Sequence, residues 1–118
     1  MLFRMLFTQK TLDNEKFMDA AVVFALTYPF AQTLEGFRGQ VDAISAFNAA
    51  DRIRKIKHNT LILSGAEDTL IPPEESGALM DIGGPATFKV IGQTAHSMHA
   101  EHPGAFSDAV LEFLPTAY

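Results

Sequence analysis

Two short runs limit what this chain can fold into: "NTLILSG" (Asn59 to Gly65) and "ATFKVIG" (Ala86 to Gly92), each closed by a glycine. The first is continuously apolar, the pattern of a strand covered on both faces; a half-exposed strand alternates. The second reads as another strand. Between them, "PPEESGALMDIG" opens with prolines and acids and ends in Gly83-Gly84, the usual punctuation of a short helix. "PGAFSDAVLEFL" (Pro103 to Leu114) follows as a terminal amphipathic helix that begins at a proline. A strand-helix-strand-helix order implies parallel strands joined by a right-handed crossover, so the expected class is α/β.

Before residue 58 the pattern is helical. "NEKFMDAAVVFALTY" (Asn14 to Tyr28) brings Phe17, Ala20, Ala21, Phe24 and Leu26 near one face, with Asp13 or Asn14 to cap its start and Pro29 to stop it. "GQVDAISAFNAADRIRKI" (Gly39 to Ile56) repeats Val41, Ile44 and Phe47 at similar spacing, which predicts a second amphipathic helix. Two strands are too few to cover these helices. Parallel strands normally belong to larger sheets, and "TLIL" has a neighbour on one side only, an apolar edge that invites pairing with another chain. The chain is therefore expected to be a homodimer, two copies of that strand pairing across a two-fold axis into a four-stranded sheet.

At 118 residues the chain has the size of one domain, and its net charge of −5 supplies no electrostatic reason to bind nucleic acid. With no cysteine there is neither a disulfide framework nor a thiolate metal site. No apolar run approaches the roughly 18 residues of a membrane span, and "MLFRMLFTQK" makes a poor signal peptide. A soluble, cytoplasmic protein without cofactor or membrane partner is the expectation.

Functional groups of parallel sheets gather where the strands end. Asp68 lies five residues beyond Leu63, the last apolar residue of the first strand, and His96 five beyond Ile91. On adjacent strands both emerge at one edge, which suits a carboxylate that orients an imidazole serving as general base. A rival reading takes His96, His99, Glu101 and His102 as a metal site, because His/Glu sets suit zinc. Against it, Pro103 interrupts the segment and no fixed ligand motif such as H-E-x-x-H occurs. Ser64, at the strand end, reads as a small buried residue, and Ser97 is too constrained by its neighbour His96 to serve as its nucleophile. "RIRKIKH" reads as a solvated helix C-terminus whose cations complement the helix dipole.

The segment from Ala50 to Leu114 resembles the C-terminal end of the α/β-hydrolase fold, in the branch of enol-lactonases, carbon–carbon hydrolases, haloperoxidase-like esterases and epoxide hydrolases. What carries the resemblance is strand–G-x-x-D–x-x-[IV]-P-P followed by strand–G-x-x-x-H-x-x-x-x-E-x-P. It implies that Asp68 is the triad acid and His96 the triad base, that Glu101 and Pro103 have a structural part, and that His99 and His102 have no catalytic role. It also implies one domain in two parts, residues 1–49 as cap-like helices and residues 50–118 as the β-α-β-α segment.

The departure from the family is as informative. Its nucleophile sits on a G-x-S-x-G elbow upstream of the cap, and no such motif occurs in this chain. The resulting expectation is a truncated α/β-hydrolase, inactive alone, whose sheet is completed by dimerisation. The alternatives are the C-terminal component of a split ester or lactone hydrolase, completed by a separate polypeptide that carries the nucleophile, and a metal-binding protein using the histidine cluster.

Overall fold

The computed structural model describes residues 3–116. Two short helices, α1 (Phe3–Leu6) and α2 (Gln9–Leu12), lead into α3 (Glu15–Thr27), α4 (Leu34–Ala46) and α5 (Ala50–Ile53). Strand β1 (Thr60–Gly65) follows, then α6 (Pro73–Gly77) extended by a 3₁₀ turn over Ala78–Asp81, and strand β2 (Ala86–Ile91). Helices α7 (Met98–Glu101) and α8 (Pro103–Phe113) close the order, with a last 3₁₀ turn over Leu114–Thr116. β1 and β2 pair in parallel, from Thr60 opposite Ala86 to Gly65 opposite Ile91. The α/β reading of the second half is thereby met.

Local chemistry sets most boundaries. Asn14 accepts the Phe17 N–H at 3.1 Å and so caps α3, which ends one residue before Tyr28-Pro29. The expected helix over Gly39 to Ile56 is corrected in two ways. It starts earlier, because Thr33 accepts the Gly36 N–H and caps the helix from Leu34. It also breaks after Ala46, where Asn48 Oδ1 takes the Ala50 N–H and begins the separate turn of α5. α1, α2 and α7, one turn each, were not anticipated.

The core lies where the sheet meets the loops that leave it. Ile62, Ile82, Ile91, Ala95 and Ala109 are its buried apolar residues, joined by the polar Ser64, Asp68 and Thr94. Outside it the helices are poorly covered: Phe24, Leu26, Phe30, Leu34, Ile44 and Phe47 are each more than 60% exposed. The chain's radius of gyration is 16.7 Å, against about 13.5 Å for a compact domain of this length. Its accessible surface is 8900 Å², where about 6300 Å² is usual for this mass. Among the described residues no helix is long and apolar enough to cross a membrane.

Candidate active site

The end of β1 and the loop after β2 are laced together by backbone hydrogen bonds. Ala66 N–H donates to Ile91 O at 3.0 Å and Glu67 N–H to Thr94 O at 2.9 Å. Thr94, fully buried, returns its hydroxyl to Ile91 O at 2.9 Å. Gly65 is required by this approach: a Cβ there would stand 2.1 Å from Ala95 O and 2.6 Å from Thr94 O. Gln93, at φ 57°, turns the chain at the tip of the loop.

This lacing delivers the two residues singled out by spacing to one place. His96 Nδ1 lies 2.9 Å from Asp68 Oδ2. The other carboxylate oxygen, Oδ1, accepts the Leu70 and Ile71 N–H groups, each at 2.9 Å. Asp68 is therefore fixed by its own loop before it meets the imidazole. Its side chain is 4% exposed and that of His96 35%, so the carboxylate is withdrawn and the imidazole reaches solvent. Burial pushes the Asp68 carboxyl up, but the Ile71 N–H, the His96 ring and the Leu70 N–H together outweigh it and leave the group below its usual value. An ionised Asp68 holds a proton on Nδ1, which leaves the Nε2 lone pair free to accept one. An open cleft of about 740 Å³ reaches Asp68, with Arg4, Phe7 and Leu12 on the helical side and Ala66 and Pro72 from the loop.

Glu101 is the other organised carboxylate. Oε2 accepts the Ala95 N–H at 2.6 Å, and Oε1 accepts both the N–H and the hydroxyl of Thr8 at 2.7 Å. Burial raises its pKa, and hydrogen bonds from Ala95 N–H, the Thr11 hydroxyl and Thr8 more than reverse that, leaving it below the ordinary glutamate value. Its bonds to Thr8 were not visible in the sequence, since Thr8 is 93 residues away.

The remaining sequence candidates separate from this pair. His99 packs its ring edge-on against Phe106 at 6.2 Å, and His102, exposed, lies between α7 and α8. With Glu101 engaged by Thr8 and Ala95, the histidines do not converge, and among the described residues no group of three or more His, Asp or Glu is placed to hold a metal. Ser64 is 1% exposed and its hydroxyl has no hydrogen-bond partner, the position of a buried strand residue. Ser97 donates its N–H to Leu6 O at 2.9 Å. In the basic stretch, Arg52 lies over the Phe47 ring and bonds Asn48 O, while Lys57 bonds Gly83 O.

The fold is also found elsewhere. The chain superposes on BpoC of Mycobacterium tuberculosis H37Rv, described as a non-heme bromoperoxidase, with a TM-score of 0.77 at 23% identity, over 97% of this chain and 42% of that one. The chain carries the C-terminal part of the α/β-hydrolase fold. Sequence comparison points the same way. A 2-hydroxymuconate semialdehyde hydrolase of Pseudomonas sp. (strain CF600) is 38% identical over 77 residues, 65% of this chain and 26% of that protein. A 2-hydroxy-6-oxo-2,4-heptadienoate hydrolase of Pseudomonas putida (strain ATCC 700007 / F1) is 36% identical over 72 residues, 60% of this chain and 26% of the relative. The chain thus spans about a quarter of the length of these curated relatives. No family model matches it.

Proposed function

We propose that this chain supplies the acid and base of a hydrolytic triad, Asp68 and His96, to a serine that lies outside these 118 residues, on a preceding segment or on a separate polypeptide. The observation that carries this is the preformed bond from His96 Nδ1 to a buried, doubly anchored Asp68, with the His96 side chain 35% exposed. In the completed site His96 takes the serine proton as the hydroxyl attacks an ester, lactone or related bond, then returns it to the leaving group. Asp68 stays ionised and stabilises the imidazolium. The substrates to try first are those named for the two relatives, a hydroxymuconate semialdehyde and a hydroxy-oxo-heptadienoate. By itself the chain does not hydrolyse them, because loss of a triad nucleophile removes almost all of the rate enhancement. Turnover by the purified chain that disappears in His96→Ala would refute the inactivity. A His96 tautomer indifferent to Asp68→Asn would refute the pairing.

A specific observation favours a second property, self-association as a homodimer. The surface in excess of a compact domain is about 2600 Å², and a standard interface removes about 800 Å² from each partner. β1 has no strand on its other side among the described residues, and Phe24 and Leu26 of α3 and Leu34 and Ile44 of α4 face solvent. Light scattering on a size-exclusion column across a dilution series tests this; a folded monomer at micromolar concentration rejects it.

A further inference from the structure

The carboxylate of Glu101 is bound on both oxygens, yet no cation pairs with it among the described residues. A carboxylate that is partly removed from water and held only by hydrogen bonds is costly unless each bond is made. Its partners fall in two segments far apart in the sequence. One is Ala95, the residue immediately before His96, itself 3% exposed. The other is Thr8, at the start of α2, which also accepts the Thr11 N–H at 3.3 Å. Next to this, Leu6 O receives the Ser97 N–H at 2.9 Å and Lys10 Nζ donates to Gln93 Oε1 at 3.3 Å. The residues on both sides of His96 are therefore held, on one side by Glu101 and on the other by the segment that Glu101 docks.

We propose that Glu101 is a positioning residue for His96: by binding Ala95 and Thr8 together it fixes the loop that aims Nδ1 at Asp68, and it makes that aim depend on docking of residues 3–12. This rests on the acid–base reading of Asp68 and His96. Without Glu101, the Ala95 N–H loses its acceptor, the N-terminal segment is left with the Leu6–Ser97 and Lys10–Gln93 bonds, and the 94–97 loop is held less firmly. The imidazole then samples orientations in which Nδ1 no longer faces Asp68, and the proton is free to sit on Nε2, where it blocks the base.

The test reads the His96 tautomer by long-range ¹⁵N correlation in the intact chain, for the wild type and for Glu101→Gln, Thr8→Val and Asp68→Asn. An isosteric glutamine cannot accept at both ends, so one of the two docking partners is lost whichever way it sits. The expected result is a wild type protonated at Nδ1. The ratio of Nδ1–H to Nε2–H forms falls about fivefold in Glu101→Gln, the scale of one hydrogen bond, and falls less, in the same direction, in Thr8→Val. If Glu101→Gln unfolds, Thr8→Val, which keeps the Glu101–Ala95 bond, decides by the same readout. A folded variant with lower urea resistance and an unchanged tautomer ratio would make Glu101 merely structural and overturn the proposal. A wild-type ratio unmoved by Asp68→Asn would instead sink the acid–base reading, and the proposal with it; a ratio moved by Asp68→Asn and not by the Glu101 and Thr8 variants rejects the proposal alone.

Discussion

Asp68 has two jobs that two substitutions separate. Oδ1 holds the Leu70 and Ile71 N–H groups, so it stabilises the turn after β1, while Oδ2 holds His96. Asp68→Ala removes all three bonds and leaves two loop donors and a ring nitrogen without partners. Bonds to a charged acceptor are each worth roughly 1.5–3 kcal/mol and do not add fully, so a total loss of about 3–5 kcal/mol is expected. Asp68→Asn keeps a carbonyl oxygen for Leu70 and Ile71, and costs about 1–2 kcal/mol through the lost charge. Its amide nitrogen then faces Nδ1, which has to become an acceptor, and the proton moves to Nε2. The asparagine variant should be the more stable of the two by about 2 kcal/mol and yet be as poor a base. Urea unfolding followed by circular dichroism gives the first quantity, and ¹⁵N shifts of His96 give the second. Equal stability of the two variants would refute the anchoring role of Oδ1. A proton retained on Nδ1 in Asp68→Asn would refute the orienting role of Oδ2.

Gly65→Ala drives a Cβ against Ala95 O at 2.1 Å, and both neighbours are backbone, so the 94–96 loop has to shift; a loss of about 3 kcal/mol in urea unfolding and a weakened Asp68–His96 bond are expected, and wild-type stability would refute the contact. The folded-state values of Asp68 and Glu101 are both lowered, from 3.8 and 4.5. Their stabilisation is therefore complete above the ordinary carboxylate range and is lost as pH falls through the lowered values. Urea midpoints at pH 7 and pH 3 should show an acid-side loss that shrinks in Glu101→Gln. Lys89 and Glu112 form a surface ion pair between β2 and α8. Lys89→Ala should change the urea midpoint little, and less still in high salt, because such pairs are screened.

The strands and the Asp68–His96 pairing were legible in the sequence because each rests on local signals. An apolar run ended by glycine marks β1, and equal offsets past two neighbouring strand ends bring Asp68 and His96 to one edge. The boundaries of α4 were not legible, since the Thr33 cap and the Asn48 break compete with an apolar period that runs straight through both. Nor was the clamp of Glu101 on Thr8, because hydrogen bonding between residues 93 apart leaves no trace in spacing. The family resemblance assigned Glu101 a structural part; only the geometry shows that it grips the residue before the base.

The same division between local and distant contacts explains why an ordered acid–base pair and a poorly covered helical face coexist in one chain. Everything that holds Asp68 comes from residues 65–96, and everything that holds the His96 loop comes from residues 65–101 and the docked segment 3–12. The pair is therefore complete before any further polypeptide arrives. The faces of α3 and α4 are covered far less: Phe17 packs edge-on against Phe7, but Phe24 and Leu26 stay 69% and 81% exposed. Burying them adds roughly 25 cal/mol per Å² of apolar surface removed from water, a driving force for whatever polypeptide covers them. A second copy covers that surface without adding a nucleophile. On the proposed function, a segment bearing the serine elbow would cover it and complete the triad, because His96 is already paired with Asp68. The two proposals, self-association and completion of a triad, are then linked: if both polypeptides would cover the same faces, dimer formation and hydrolysis would compete, and adding the serine-bearing segment to a dimer is expected to dissociate it as activity appears.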